Sequence, residues 1–200
     1  MYIIIENDKF LGFSLKEEQG YKNVEITEKE HTEFIEKQSE GYTLYWNKKQ
    51  LEAIKLDDFE YINDQNEIIK NLQKIKENIK NLITIQKEKI IENGFEIKIN
   101  GKTLIQKCRE KDKTNILGTL QLMESTGQKT IDWKFIDENN NDVMEQVTKE
   151  FLNNMLIQGA VLTSKAIHVE QQLFTRLETL NETELLNFNV SDEFKKLMGG

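Results

Sequence analysis

The segment richest in potential metal ligands is Asp137-Glu-Asn-Asn-Asn141. Its alternate positions match the D-x-N-x-N start of a calcium-binding loop, in which carboxylate and amide oxygens surround the ion. Such a loop also needs a glycine at its sixth position and a bidentate glutamate at its twelfth. Asp142 and Thr148 stand there instead. The segment is therefore predicted to be a solvated hairpin turn.

The single cysteine, Cys108, is the only candidate thiol nucleophile. Its neighbours Lys107 and Arg109 would favour a thiolate, but no histidine is near it in sequence to act as a base. We expect an inert thiol. One cysteine also excludes an internal disulfide framework.

Two further motifs are weak. Asn100-Gly-Lys-Thr103 resembles the end of a phosphate-binding loop, but the first glycine of that motif would fall on Glu96. A hairpin turn explains the segment. His168 stands alone between the apolar residues Ile167 and Val169 and is predicted to be a surface or interface imidazole. We expect no catalytic residue, cofactor or metal site, and no enzymatic activity.

The amino-acid composition argues against two classes of partner, nucleic acids and membranes. The 200 residues are 38% hydrophobic and 31% charged, with a net charge of −8. Arg109 and Arg176 are the only arginines, which argues against nucleic acid as a partner. The longest aliphatic run near the start, Ile3–Ile5, predicts neither a signal peptide nor a membrane span. We expect an intracellular, globular α+β chain with no membrane partner.

Residues 1–57 are predicted to form a small β-rich module. A hairpin of Tyr2–Glu6 and Phe10–Leu15 turns at Asn7-Asp8, and a third strand follows at Val24–Ile26. Thr27 and Glu30 have the spacing of a capping box, which predicts a short helix. A further strand lies around Trp46.

A connector at 58–65 is expected to lead into a long amphipathic helix at 66–93. Apolar residues in this helix alternate four and three apart, as in a coiled coil. They are Ile68, Leu72, Ile75, Ile79 and Leu82. Because the repeat is shorter than the three or four heptads typical of a coiled coil, two interpretations stay open. The helix packs on its own domain, or it associates with another chain.

Residues 94–200 are predicted to form a C-terminal α+β domain of two hairpins packed on helices. Asn100-Gly101 is the turn of the first hairpin. A helix then precedes the strand Thr130–Ile136, in which Ile131, Trp133 and Phe135 share one face. Trp133 is predicted to be a core anchor.

The last long helix is predicted from Thr148 to about Leu180 and carries a second seam. This seam is expected to be buried against another helix, either of the same chain or of a partner. Its predicted contact residues are Leu152, Met155, Gly159, Leu162, Ala166, Val169 and Leu173.

Two stretches of the chain resemble phage proteins. The segment Val24–His31, followed by Phe34–Gly41 and a strand, resembles the N-terminal module of phage tail fibre assembly proteins. The region from Lys89 to Phe188, which carries Asn115-Ile-Leu-Gly118 and Ile131-Asp-Trp133, looks like a domain of unknown function encoded near tail fibre genes.

The resemblance implies a non-enzymatic phage or prophage protein that binds a tail fibre protein during folding or attachment. The alternative is a structural tail component that joins fibre to baseplate. Either protein would have a tail fibre or other tail protein as partner and is expected to form a homo-oligomer through the two seams. It would be found in the host bacterial cytoplasm during assembly, or be retained in the virion tail.

Overall fold

A computed structural model describes residues 1–199. It is mixed, with 47% helix and 27% strand, so the predicted α+β class is confirmed. The chain divides into two compact units, Met1–Ile75 and a second that begins at Lys76. Every helix and strand named below lies within the described residues.

The first unit opens with a three-stranded antiparallel sheet, in the order β2-β1-β3. Its strands are β1 (Tyr2–Glu6), β2 (Lys9–Ser14) and β3 (Lys22–Glu25). Asn7 and Asp8 make the β1–β2 turn with φ of 48° and 61°, a backbone conformation that these two residue types tolerate.

A helix and a second hairpin complete the core of this unit. Helix α1 (Glu28–Ser39) begins at the predicted capping box, in which Thr27 and Glu30 each accept a hydrogen bond from the other's backbone N–H. Strands β4 (Thr43–Trp46) and β5 (Leu51–Ile54) pair beside it. The buried side chains of this core are Ile3, Ile5, Leu44, Trp46 and Leu51.

The connector and the start of the long helix were predicted wrongly. Strands β6 (Glu60–Ile62) and β7 (Ile68–Lys70) form a hairpin there, so Ile68 lies in a strand. The Asn63 side chain accepts hydrogen bonds from the backbone N–H groups of Gln65 and Glu67. Such local bonds offer the backbone an alternative to helix, which is why the apolar spacing misled the prediction.

Helix α2 (Leu72–Asn93) therefore begins six residues after the predicted position 66. Ile75, Ile79 and Ile83 are buried, whereas the predicted seam residue Leu82 is 45% exposed. The buried positions repeat every four residues, so the covered side of α2 shifts around the helix axis and departs from the heptad spacing. The prediction of a heptad seam on this helix is therefore corrected, because Ile83 and not Leu82 is the buried residue.

The second unit contains a four-stranded antiparallel sheet, order β11-β10-β9-β8, and five segments of helix including most of α2. Its remaining elements are β8 (Phe95–Ile99), β9 (Lys102–Gln106), α3 (Glu110–Thr126), β10 (Thr130–Ile136), β11 (Asp142–Thr148), α4 (Lys149–Leu177), α5 (Glu182–Leu186) and α6 (Val190–Met198).

The two predicted hairpins are joined into that one sheet. Ile136 of β10 pairs with Ile105 of β9, the single residue pair in register between the hairpins. Glu145 of β11 ties them a second time, because its carboxylate accepts hydrogen bonds from Lys102 Nζ at 2.6 Å and Asn100 Nδ2 at 2.9 Å. These bonds, that of Lys102 foremost, hold the pKa of Glu145 below its ordinary value.

Phe135, not Trp133, is the deeply buried aromatic of β10. Phe135 is 1% exposed, whereas Trp133 is only half-buried at the border of the core. Trp133 does pack on the core, as predicted, but part of its ring lies at the surface. Phe135 therefore takes the place of Trp133 as the central aromatic residue of this core. The buried core of this unit comprises Ile97, Ile99, Leu104, Ile116, Leu120, Met123, Phe135, Val147, Leu152 and Met155.

Candidate functional site

The predicted seam of α4 lies inside the chain's own core. Its members Leu152, Met155, Gly159, Ala166, Val169 and Leu173 are all buried, and Leu162 is half-buried. Helix α4 contacts α3, β11 and α6 of its own unit. These residues thus stabilise the monomer and are not available to a partner, which corrects their predicted role in association.

Gly159 shows how closely that core is packed. A side chain carbon added at Gly159 would stand 3.4 Å from Cys108 Sγ and 3.7 Å from Phe95 Cε1. The close approach that glycine permits is therefore made by the first hairpin and the segment after it. Burial raises the pKa of the Cys108 thiol to about 11. At neutral pH the thiol is therefore protonated, the form that is the weaker nucleophile.

Helix α2 is also bonded to α4 of the same unit. Glu170 of α4 is buried, and its carboxylate accepts hydrogen bonds from Lys87 Nζ and Thr84 Oγ1, both at 3.0 Å. Further along, Lys80 Nζ lies 2.6 Å from the carboxylate of Glu178. Of the two interpretations of this helix, packing against its own domain is the one that the structure supports. The homo-oligomer itself stays a prediction, and Ile68 and Leu82 are the residues of the first seam that remain exposed.

The acidic segment after β10 is a turn, as predicted. The Asp137 carboxylate accepts hydrogen bonds from the backbone N–H groups of Asn139 and Asn141, and its pKa is lowered chiefly by the bond from Asn141. Within residues 1–199 no three His, Cys, Asp or Glu side chains converge as a metal-binding group. Asn100 and Gly101, with φ of 50° and 78°, likewise make the predicted β8–β9 turn.

A different surface of α4 is the best candidate for binding a protein. We call it the outer face, and define it as Ile157, Ala160, Val161, Ser164, Ile167 and His168. Ile157 and Val161 are 60% and 61% exposed. Five of the residues, all except Ile167, also line a shallow depression of about 600 Å³ together with Lys165.

The outer face follows the same four-and-three spacing as a helix-pairing seam. Ile157, Val161, Ser164 and His168 lie one above another on the side of α4 opposite its buried residues. Ala160 and Ser164 are small, which lets another backbone come close. The predictions missed this face because the inward seam carries larger side chains and the stronger apolar signal.

The stretch of α4 that carries most of the outer face contains no charged residue. Between Phe151 and Ser164 the chain has no charged residue, although 31% of all residues are charged. Lys165, the cation that lines the depression, donates a hydrogen bond at 2.7 Å to the backbone oxygen of Met198. Because exposed apolar surface without charge costs solubility, such a face is typical of protein–protein contact.

A second concave site lies between α3 and the sheet. It is a cleft of about 510 Å³ bordered by Trp133, and the indole Nε1 donates a hydrogen bond at 2.9 Å to Gln106 Oε1. Its other lining residues are Asp112, Thr114, Asn115, Gly118, Thr119, Leu122 and Lys134. No local sequence motif predicts this cleft, because its lining residues come from segments that are distant in sequence.

No protein-family model matches the chain, and no curated protein or solved structure is detectably similar to it. Among the helices of the described residues, none combines the length and the apolar character that crossing a membrane requires.

Proposed function

We propose that this chain is a phage or prophage tail fibre assembly protein that binds its fibre protein transiently and without catalysis. The proposal combines the sequence resemblance of residues 24–41 and 89–188 with one structural observation, the exposed outer face of α4. The site of binding in the proposal is this face, not the seam residues that the sequence favoured.

The chemistry of the outer face defines the partner segment that it would fit. Ile157 and Val161 offer apolar ridges one turn apart, and Ala160 and Ser164 leave a shallow gap beside them. An amphipathic helix of the fibre protein, with its own apolar stripe and no charge on it, fits such a face. A charged segment would lose hydration against Ile157 and Val161, and Lys165 is the one charged residue that lines the depression.

The polarity of the same face favours a transient contact over a permanent one. Ser164 and His168 interrupt the apolar stripe, and the His168 ring lies 3.0 Å from the Gln172 side chain, so polar groups remain along it. Permanent subunit contacts are larger and more apolar, commonly above about 2,000 Å². This supports an assembly factor over the alternative, a structural component that joins fibre to baseplate.

Co-expression with a tail fibre protein of the same phage or prophage tests the proposal. We expect the wild-type chain to raise the yield of soluble fibre, and a double substitution Ile157→Asp with Val161→Asp to remove that effect. Two other exposed apolar residues, Met144 and Leu186, provide the matched control. Met144→Asp with Leu186→Asp adds the same charge elsewhere and should leave the yield unchanged. Equal yields with and without the chain would refute the proposal.

Mass spectrometry of purified particles separates the two functions. An assembly factor leaves after its work, so its peptides should be missing from particles that contain the fibre. Peptides of this chain at a fixed ratio to the fibre would overturn the proposal in favour of the structural component.

A further inference from the structure

The cleft beside Trp133 contains hydrogen-bonding side chains that the fold itself does not use. Asn115 and Thr119 lie one turn apart on α3 and both line the cleft. Within residues 1–199 neither side chain forms a hydrogen bond to another residue. The neighbouring Thr114 differs, because its hydroxyl donates to the backbone oxygen of Glu110 at 2.9 Å. Asn115 and Thr119 are therefore free to donate to and accept from a ligand.

The charged groups of the cleft are already neutralised. Asp112 accepts hydrogen bonds from the Arg109 guanidinium at 2.8 and 3.2 Å, and Lys134 Nζ lies 3.0 Å from Asp142. A charged ligand would have to compete with these ion pairs. The groups that remain for recognition are one amide and one hydroxyl, so the cleft suits a neutral ligand.

The apolar part of the cleft has a fixed orientation. Gln106 is bonded at both ends of its amide, since its oxygen accepts from Trp133 Nε1 and its nitrogen donates to the Lys107 carbonyl oxygen at 2.8 Å. The bond to Gln106 holds the Trp133 indole in place, and Leu122 stands on α3 as a second apolar wall. A rigid aromatic ring beside hydrogen-bonding groups suits a ligand with one apolar face and a polar rim.

We infer that this cleft binds a neutral saccharide ring. A pyranose has a face of C–H groups that packs on an aromatic ring and a rim of hydroxyls that both donate and accept. The amide of Asn115 and the hydroxyl of Thr119 complement that rim. Gly118 leaves the floor of the cleft open, because a side chain carbon added there would meet no atom within 4 Å.

Amide and indole NMR spectra of the ¹⁵N-labelled full chain test the inference. Glucose, galactose and N-acetylglucosamine are titrated to about 50 mM, above the ~1 mM dissociation constant that corresponds to about 4 kcal/mol of binding free energy. We expect at least one sugar to shift the indole resonance of Trp133 with the amides of Asn115 and Thr119. Trp46, which is 1% exposed in the first unit, is the internal reference and should not shift.

Two substitutions and one control locate the binding. A side chain carbon at Gly118 meets no atom within 4 Å, so Gly118→Leu places its side chain at the cleft and should weaken binding at least tenfold. The control is Gln121→Leu, on an exposed part of α3 outside the cleft, which should not weaken binding. Thr119→Val removes only the hydroxyl and should weaken binding about threefold to tenfold. Circular dichroism checks that each variant is folded.

Three results would overturn the inference. One is the absence of any shift at Trp133 with all three sugars. Another is binding that Gly118→Leu leaves unchanged, which would place the sugar elsewhere. The third is a shift produced by a neutral tri-alanine peptide with blocked ends but by no sugar, which would make the cleft a peptide site. None of these results bears on fibre binding by α4.

Discussion

At the scale of single residues, Gly94 is the glycine at which an added side chain carbon would meet its nearest atom at the shortest distance among the glycines of the described residues. It joins α2 to β8 with φ of 74°, and an added side chain carbon would stand 1.9 Å from the backbone oxygen of Gln106. Two independent reasons thus require glycine here, the left-handed backbone and the close approach of β9. Backbone atoms cannot rotate aside as a flexible side chain would.

We predict that Gly94→Ala lowers the free energy of unfolding by roughly 2 to 5 kcal/mol, the sum of backbone strain and overpacking. Gly101→Ala is the matched control, because Gly101 has φ of 78° but no atom within 4 Å of the added carbon. It should cost only about 1 to 2 kcal/mol. Denaturant unfolding of both variants measures the difference, and equal losses would contradict the close approach at Gly94.

At Gly159, two substitutions are predicted to change the free energy of unfolding in different directions. Alanine places its carbon in ordinary contact with Cys108 Sγ, and it favours helix over glycine by about 1 kcal/mol. We expect Gly159→Ala to be neutral or stabilising and Gly159→Leu to cost about 1 to 3 kcal/mol by overpacking. Melting temperatures of the two variants and the wild type test this prediction. A Gly159→Leu variant as stable as wild type would mean that α4 is not packed against Cys108 and Phe95 as described.

At the scale of elements, the turns, caps and strands that depend on neighbouring residues were predicted best. The turns at Asn7-Asp8 and Asn100-Gly101 and the capping box at Thr27 rest on backbone conformations or bonds that neighbouring residues settle among themselves. The strand Thr130–Ile136 was predicted with its observed bounds because its alternation is clean.

The features that depend on distant residues could not be predicted in the same way. The choice of Ile83 over Leu82 as the buried residue of α2 is made by how the helix lies on its own unit. The same holds for the pairing of Ile136 with Ile105 and for the cleft, whose lining comes from α3, β9 and β10. Spacing along one element carries no information about which neighbour will cover it.

Strand β10 gives a prediction at this scale. Phe135 is 1% exposed and Trp133 is half-buried, so we expect Phe135→Ala to cost about 3 to 5 kcal/mol and Trp133→Ala clearly less. Denaturant midpoints of the two variants provide the comparison. A larger loss for Trp133→Ala would restore the anchor role that the sequence assigned to it.

At the scale of the whole molecule, the predicted seam of α4 is largely buried within the chain, and so are Ile75 and Ile79 of the α2 seam. We therefore expect the purified protein to be a monomer of 23.5 kDa by light scattering at micromolar concentration. A dimer mass that Ile157→Asp with Val161→Asp reduces to the monomer would contradict this prediction. It would make the outer face of α4 an interface between copies of the chain.

The central proposal is that the outer face of α4 binds a tail fibre protein. The most direct test is the equilibrium dissociation constant between the purified chain and a tail fibre protein of the same phage or prophage, measured by calorimetry. We predict micromolar binding that weakens at least tenfold in Ile157→Asp with Val161→Asp and is unchanged in Met144→Asp with Leu186→Asp. Absence of binding, or equal affinity in all three proteins, would contradict the claim.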